Sequence, residues 1–500
     1  MWAASRRALS SVEMAVIEEN AVALGVTIDA LMESAGRAVA EEVARHLPPP
    51  PARVAVVAGS GNNGGDGTCA TFYLQQWGYS PEVWLVHPPS EIRSRAARRC
   101  FDRIEHRCPV HLRVPRPEEL ATMPLVVDAL LGTGQSDRMR SPVRDAVEAI
   151  RSSRAPVLSV DLPTGVGDPE GLRPSWTVTF TTVKEEIARG NAGELAVREI
   201  GIPPDAWRRT GPGEFLLFRV PSGTSDRGRT GRLVVVGGGP YAGAPALAGL
   251  AALRSGAERA TVVAPRGASE AVQSFSPNLV VRAVGSGHFC PSDVPEILEF
   301  VRAAPPRALA VGMGAGAHPE TIEALRTLLR ELVGTVPLVV DADALAALPT
   351  AEEIAERPAS AGVVATPNTG EFERVFGGVA GGPRERTSAD VARIASERRL
   401  MLLVKGPSDL GSDGESSFEN AHHHAAMTVA GAGDVLAGVV ASLLAQGLSP
   451  LHAARLGTYW TGEAGQRAAA RRGFGLLATD VLDELPAALV AGLERVHRAV

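Results

Sequence analysis

Lysine is nearly missing from this 500-residue chain: among 50 Lys and Arg residues, only Lys184 and Lys405 are lysine. Arginine serves almost everywhere else, so a remaining lysine can mark a place that needs a compact ammonium, although composition alone is equally compatible with chance. Cysteine is scarce too. Cys69, Cys100, Cys108 and Cys290 show no metal-like spacing, and Cys69 and Cys290 lie far apart. That argues against a disulfide framework and makes a reducing cytoplasm the expected compartment. No 18-residue apolar stretch suggests a membrane span, and no secretory apolar region follows Arg6 and Arg7. There is no basic block, and the formal net charge is -6, which argues against a nucleic-acid surface.

What is present is ample apolar material, 45% of residues, in a chain too long for one core. Val12 to about His46 reads as two helices, broken by Pro48–Pro51. Short apolar strands then alternate with helical segments: 54–58, 82–86, 125–128, 157–160 and 175–180. The polar, glycine-rich stretch 221–231 marks a boundary, giving domains 1–220 and 221–500. The pattern restarts at 233–236 and continues through 260–264, 308–311, 338–340, 363–365 and 400–404. The expected fold class is α/β, with two three-layer α/β/α domains built on parallel sheets. Ligands in such sheets bind beyond the strand C-termini.

Three loops of the first half sit at such ends: Gly59–Gly67, Asp128–Gly134 and Asp161–Gly165. Gly59-Ser60-Gly61-Asn62-Asn63-Gly64 satisfies the dinucleotide fingerprint G-x-G-x-x-G, with the helix expected from Thr68. The acidic residue that should end the next strand is missing, since Glu82 starts that strand and His87 ends it, so hydride-transfer use is doubtful. Asn62, Asn63 and Asp66 offer oxygen donors that, with Asp128 and Thr164, could hold a cation; one such loop alone reads rather as a capped turn, but three converging at one sheet edge read as a site. Asp161, at a strand end before Pro163, is placed for general-base work, and Lys184 could supply a cation beside it.

Leu31-Met32-Glu33-Ser34-Ala35-Gly36, the Asn-Asn-Gly-Gly-Asp-Gly run, Asp128–Gly134, Asp161–Gly165 and Thr177–Phe180 together resemble the NAD(P)H-hydrate epimerase family (YjeF N-terminal domain) over about 10–220. The resemblance implies a Rossmann-like fold and interconversion of the R and S forms of hydrated NADH and NADPH. It implies Asp161 and Lys184 as catalytic residues. It implies hydrate contacts from Asn62, Asn63, Gly64, Gly65, Asp66, Gly132, Thr133, Gly134, Gln135, Ser136, Asp137, Arg138 and Asp161. It also implies a potassium ion held by Asn63, Asp128 and Thr164. Thr164 replaces the family's usual serine, and Lys184-Glu185-Glu186 replaces its Lys-Pro-Gly turn.

In the second half Gly431-Ala432-Gly433-Asp434 precedes a long apolar segment, placing bare amides and a carboxylate at a helix start. Such a start favours phosphate and developing negative charge. Asp434 can exchange a proton with a substrate hydroxyl. Asn368 and Glu371 are spaced to orient a metal or its water, or simply to begin a helix. His422, His423 and His424 read as a solvated loop more readily than as ligands.

These residues, with Gly237–Gly239, Tyr241–Pro245, Ala252–Ala257, Gly312–Gly316 and Asp341–Leu345, are similar to the ribokinase-type superfamily and, within it, to ADP- or ATP-dependent NAD(P)H-hydrate dehydratases over about 229–500. The resemblance implies a ribokinase-like fold and Mg2+ with ADP or ATP as co-substrate. It implies Asp434 as the proton-transfer residue and hydrate contacts from Ala244, Gly314, Gly316, Asn368 and Asp434. Lys405, Gly406, Pro407, Ser408, Asp409 and Gly433 would bind the nucleotide. The expected partners are NADHX, NADPHX and ADP or ATP, without nucleic acid or membrane, in a homo-oligomer. Two alternatives stay open: a small-molecule kinase with a regulatory first half, and a nucleotide sensor with degenerate sites.

Overall fold

A computed structural model describes residues 7–133, 139–221, 231–356, 362–377 and 387–499. The chain divides into two compact units, one running to Ala206 and the other from Trp207 to Ala499. The division precedes the polar stretch 221–231 because residues 207–217 belong to the second unit. There Phe215 packs edge-on against Tyr459 and Trp460, and the fully buried Glu214 accepts from Arg455 Nη2 at 2.5 Å. Residues 222–230 lie outside the described set.

The first unit holds β1 (Arg53–Ala58), β2 (Ser80–Leu85), β3 (Val110–His111), β4 (Val126–Ala129), β5 (Val157–Val160), β6 (Trp176–Phe180) and β7 (Glu194–Arg198). All pairings are parallel, in the order β3-β2-β1-β4-β5-β6-β7. The second unit holds β8 (Arg232–Val236), β9 (Arg259–Pro265), β10 (Val280–Val284), β11 (Ala308–Val311), β12 (Leu338–Val340), β13 (Val363–Ala365), β14 (Met401–Val404), β15 (Asp409–Ser412) and β16 (Ser417–Asn420). Their order is β10-β9-β8-β11-β12-β13-β14-β15-β16. The last two strands form an antiparallel hairpin where the sequence looks irregular.

Strands β4 and β5, and β11 to β14, are buried along their whole length. This is why β11 to β14 are unbroken apolar runs rather than alternating ones, whereas β4 and β5 each carry one buried polar residue, Asp128 and Ser159, which bond to each other. In the second unit the core of Val234, Val311, Leu325, Leu329, Val340 and Leu402 fills the space between sheet and helices.

Each sheet reverses its winding once, between β1 and β4 and between β8 and β11. A crevice opens at such a reversal, and glycine lines both. A Cβ on Gly59, just after β1, would lie 2.2 Å from Leu130 O beyond β4. A Cβ on Gly237, just after β8, would lie 2.4 Å from Met313 O beyond β11. Neither position accepts a side chain.

One sequence expectation is corrected. The helix after β1 spans Asn62–Gln76, so Asn-Asn-Gly-Gly-Asp-Gly forms its first turns and is not a loop ending at Thr68. Gly61 is the N-cap and has no side chain to accept a bond from the first helical amides. The glycines are there because the helix lies too close to its surroundings for side chains. A Cβ on Gly64 would sit 1.9 Å from Gly59 O, and one on Gly67 would sit 2.4 Å from Ala129 Cβ.

Candidate active sites

At the C-terminal ends of β5 and β6, Asp161 adopts φ 63° and its N–H donates to Val178 O at 2.7 Å. This left-handed backbone is unusual for aspartate and turns its side chain toward Lys184. Lys184 Nζ lies 2.6 Å from Asp161 Oδ1 and donates to Thr179 Oγ1 and Phe180 O, both at 2.8 Å. The lysine is 1% exposed, so its ammonium is fully engaged inside the protein.

Across the crevice, Asn63 lies in the first turn of helix 62–76. Its Oδ1 and Nδ2 are both buried with no partner. A Cβ on Gly132 would lie 3.2 Å from Asn63 Oδ1 and 3.2 Å from Asp161 Oδ2, so the missing side chain leaves room between them. A buried carboxamide with neither atom bonded costs free energy unless a ligand satisfies it.

Asp128 is fully buried at the end of β4. It accepts from Ser159 Oγ at 2.8 Å, Thr164 N at 3.0 Å, Thr164 Oγ1 at 2.7 Å and Leu130 N at 3.3 Å. Burial pushes its carboxyl up, against those donors. Leu131 N–H donates to Thr164 Oγ1 at 3.1 Å. Asp128 therefore ties the loop after β4 to the loop after β5. Gly132 and Thr133 follow on this loop; Gly134, Gln135, Ser136, Asp137 and Arg138 lie outside the described residues.

Sequence reasoning passed over Glu18. Leu9 bridges to Lys184, and Ser11 N and Oγ donate to Glu186 Oε1 at 3.2 and 2.6 Å. The acidic residues that follow Lys184 thus dock the helix Ser11–Ala23, which carries Glu18. Burial, then the Asp161 carboxylate, push Glu18 up to about 7, with Lys184 opposing. Burial also raises Asp66 well above its ordinary value, followed by Asp161, Cys100 and Glu18, again against Lys184. Glu18 and Asp66 thus share the field of the Asp161 carboxylate and the Lys184 ammonium. No local spacing signals Glu18; only the fold brings it there.

In the second unit, Lys405 follows β14 and its Nζ lies 2.8 Å from Oδ1 of the buried Asp341, which follows β12. Burial opposes the lysine's charge, but Asp341, Glu371 and Asp434 outweigh it and raise its pKa. Helix Ala432–Ala445 starts after Gly431, whose φ is 92°. A Cβ on Gly433 would sit 3.0 Å from Lys405 Nζ, so the helix start faces the ammonium directly. Burial pushes Asp434 up to about 7, followed by Asp341, with Lys405 opposing.

Gly314, with φ 66°, would place a Cβ 2.3 Å from Tyr241 O and 3.1 Å from Ala244 Cβ, so these expected residues meet. Gly316 N–H donates to Asp343 Oδ2 at 2.7 Å. Asn368 Oδ1 accepts from Glu371 N at 3.0 Å and Glu371 Oε2 from Asn368 N at 2.7 Å, a capping box that begins helix Thr369–Phe376. Asp409 Oδ1 accepts from Gly406 N at 3.1 Å, closing the turn that also contains Pro407 and Ser408. The three histidines do not converge: His422 Nε2 meets Glu463 Oε2 at 2.8 Å, and His424 caps a short turn. In the sequence Asp341 and Asp343 stand out only as part of the 341–345 motif; the structure pairs Asp341 with Lys405 and Asp343 with the Gly316 amide.

Two doubly wound domains, each with a lysine–aspartate pair at its strand ends and a glycine-opened crevice, define a two-site α/β enzyme of nucleotide-like substrates. Residues 233–487 match a protein family described as NAD(P)H-hydrate dehydratase, and residues 28–186 match the YjeF-related protein N-terminus. The bifunctional NAD(P)H-hydrate repair enzyme Nnr of Hyperthermus butylicus is 37% identical over 98% of this chain and 94% of its own. That of Pyrobaculum aerophilum is 36% identical over 96% of this chain and 97% of its own. A solved ADP/ATP-dependent NAD(P)H-hydrate dehydratase from Bacillus subtilis, co-crystallised with ATP/Mg2+, is 22% identical with TM-score 0.47, covering 56% of this chain and 96% of its own. The chain belongs to the bifunctional NAD(P)H-hydrate repair enzymes.

Proposed function

We propose that the first unit interconverts R- and S-NAD(P)HX at Asp161 and Lys184, and that the second dehydrates the S form with an adenine nucleotide at Asp434. One observation carries this reading. The chain's only two lysines each pair with an aspartate at a strand end, Lys184 with Asp161 at 2.6 Å and Lys405 with Asp341 at 2.8 Å, beside a glycine-opened crevice.

Hydration of an enamine places the new hydroxyl on the carbon next to nitrogen, so the nitrogen lone pair can expel it. In the first unit Lys184 donates a proton to the departing hydroxyl, and Asp161 accepts one when water returns on the other face. Asn63, Asp66 and the Gly132–Thr133 backbone position the hydrate. The partnerless oxygen of Asn63, with Asp128 and Thr164, makes an all-oxygen donor set that suits a potassium ion. That ion would offset part of the carboxylate charge.

In the second unit Asp434 takes the hydroxyl proton as the nucleotide's terminal phosphoryl group is transferred to that oxygen; the nitrogen lone pair then expels phosphate, and the departing phosphate carries off the proton of the neighbouring ring carbon as the double bond returns. Gly433 and the first amides of helix 432–445 face the developing charge, and Lys405 adds a fixed cation. Lys405–Asp409 bind the nucleotide, ADP or ATP. Mg2+ arriving with it would neutralise phosphate charge. Ala244, Gly314, Gly316 and Asn368 bound the hydrate.

The test is an R/S hydrate mixture with the purified chain and ADP or ATP, followed at the reduced-nicotinamide absorbance. Asp161→Asn should consume S and leave R. Asp434→Asn should consume neither while still equilibrating them. Full consumption of both forms by either variant, with spontaneous epimerisation shown to be slow, would refute the assignment.

A further inference from the structure

His288, Cys290 and Glu320 lie in the second unit outside the residues assigned above. His288 and Cys290 flank Phe289, which is 1% exposed and anchors its segment in the core. The Phe289 carbonyl accepts from Thr321 Oγ1 at 3.1 Å, fixing this segment against helix Pro319–Leu332, which carries Glu320 in its first turn. With Phe289 pointing inward, the side chains on either side of it turn outward toward that helix. His288 Nε2 is 3.0 Å from Glu320 Oε2, Cys290 Sγ is 3.5 Å from His288 Nε2, and Cys290 Sγ is 3.7 Å from Glu320 Oε2.

Ligands of a tetrahedral zinc ion, at ~2.0–2.3 Å from the metal, stand roughly 3.3–3.8 Å from one another. Both distances to sulfur fall in that interval. The shorter nitrogen–oxygen distance is an ordinary hydrogen bond that a metal would replace. The donor set of imidazole, thiol and carboxylate suits a borderline-soft divalent cation and not a hard one such as Mg2+. Among the described residues these three make up the one group whose His, Cys and carboxylate ligand atoms all lie within 4.8 Å of one another. The His318 ring lies tilted against His288, ring centroids 4.1 Å apart, but its Nδ1 accepts from Glu320 N at 3.3 Å as the helix cap. It therefore borders the site without supplying that nitrogen.

We propose that His288 Nε2, Cys290 Sγ and a Glu320 carboxylate oxygen bind one Zn2+-class ion, with water in the fourth position. The ion ties the segment after β10 to the helix that follows the Gly312–Gly316 loop.

The test uses Co2+ as the spectroscopic probe, added to the metal-stripped full-length chain. One equivalent should bind and give a near-ultraviolet thiolate-to-cobalt charge-transfer band, displaced by Zn2+. Cys290→Ser should abolish the band. Glu320→Gln should weaken cobalt binding by at least about tenfold, and Cys108→Ser should leave the band intact. No band in the wild-type chain, or a band that survives Cys290→Ser, would overturn the proposal. Circular dichroism of each variant separates loss of the ligand from loss of the fold.

Discussion

Asp434 sits at a helix start and still holds its proton up to about pH 7, because burial and Asp341 oppose its charge more than Lys405 supports it. A base of that kind is only half available at neutral pH. Nucleotide-dependent conversion of the S hydrate should therefore rise with pH through about 7. Asp434→Asn should lower its rate about 10²- to 10⁴-fold and leave epimerisation unchanged. An undiminished rate in that variant would remove Asp434 from the chemistry. Glu18 offers the matching experiment in the first unit. Its carboxyl also titrates near 7, so Glu18→Gln should displace the pH profile of R-to-S conversion while circular dichroism stays unchanged. Superimposable profiles would show that Glu18 is a bystander.

At the scale of elements, the helix Asn62–Gln76 is held by glycines, and they are not equivalent to glycines elsewhere. Gly64→Ala should cost about 1–3 kcal/mol or more, because the new methyl would lie 1.9 Å from the Gly59 carbonyl oxygen and neither backbone can yield without moving the β1 crevice. Gly370→Ala is the control. It lies in the first turn of helix Thr369–Phe376, and a Cβ there would come no closer than 3.5 Å to any neighbour, so it should be neutral or gain up to about 1 kcal/mol. Thermal melts of the two variants side by side measure the difference, and equal melting temperatures would contradict the close packing described.

At the scale of the whole molecule, the raised carboxyls make stability depend on pH. Glu18 and Asp434 each move to about 7 from ordinary values of 4.5 and 3.8. The folded chain thus keeps protons that the unfolded chain has already released. Their contribution is complete below about pH 4 and is lost as pH rises through 7. Because both side chains are only partly buried, about 1–2 kcal/mol each is the expected scale. The melting temperature of the wild type, compared with that of the Glu18→Gln/Asp434→Asn double variant, should fall between pH 4 and 7.5. Parallel curves would exclude the linkage. Separately, Glu214→Ala should destabilise the second unit by about 3–5 kcal/mol, since it strands the partly buried charge of Arg455, which it meets at 2.5 Å. Denaturant unfolding followed by tryptophan fluorescence would register that loss.

The sequence by itself determined the α/β class and most strand positions, because buried parallel strands must be largely apolar, and it marked candidate residues because glycines and acids at strand ends leave local signatures. The two lysines stood out by scarcity alone. Tertiary structure decided what depends on contacts between distant segments. It paired Lys184 with Asp161 and Lys405 with Asp341, and it brought Glu18 beside the first pair. It extended the helix back to Asn62 and drew residues 207–217 into the second unit. It resolved Asn368 and Glu371 into a capping box. It also set His288 and Cys290 against Glu320, a grouping invisible to cysteine spacing because its members come from separate elements. Hydrophobic period is written along the chain, whereas a carboxylate's protonation and a ligand's reach are properties of the space that the fold encloses.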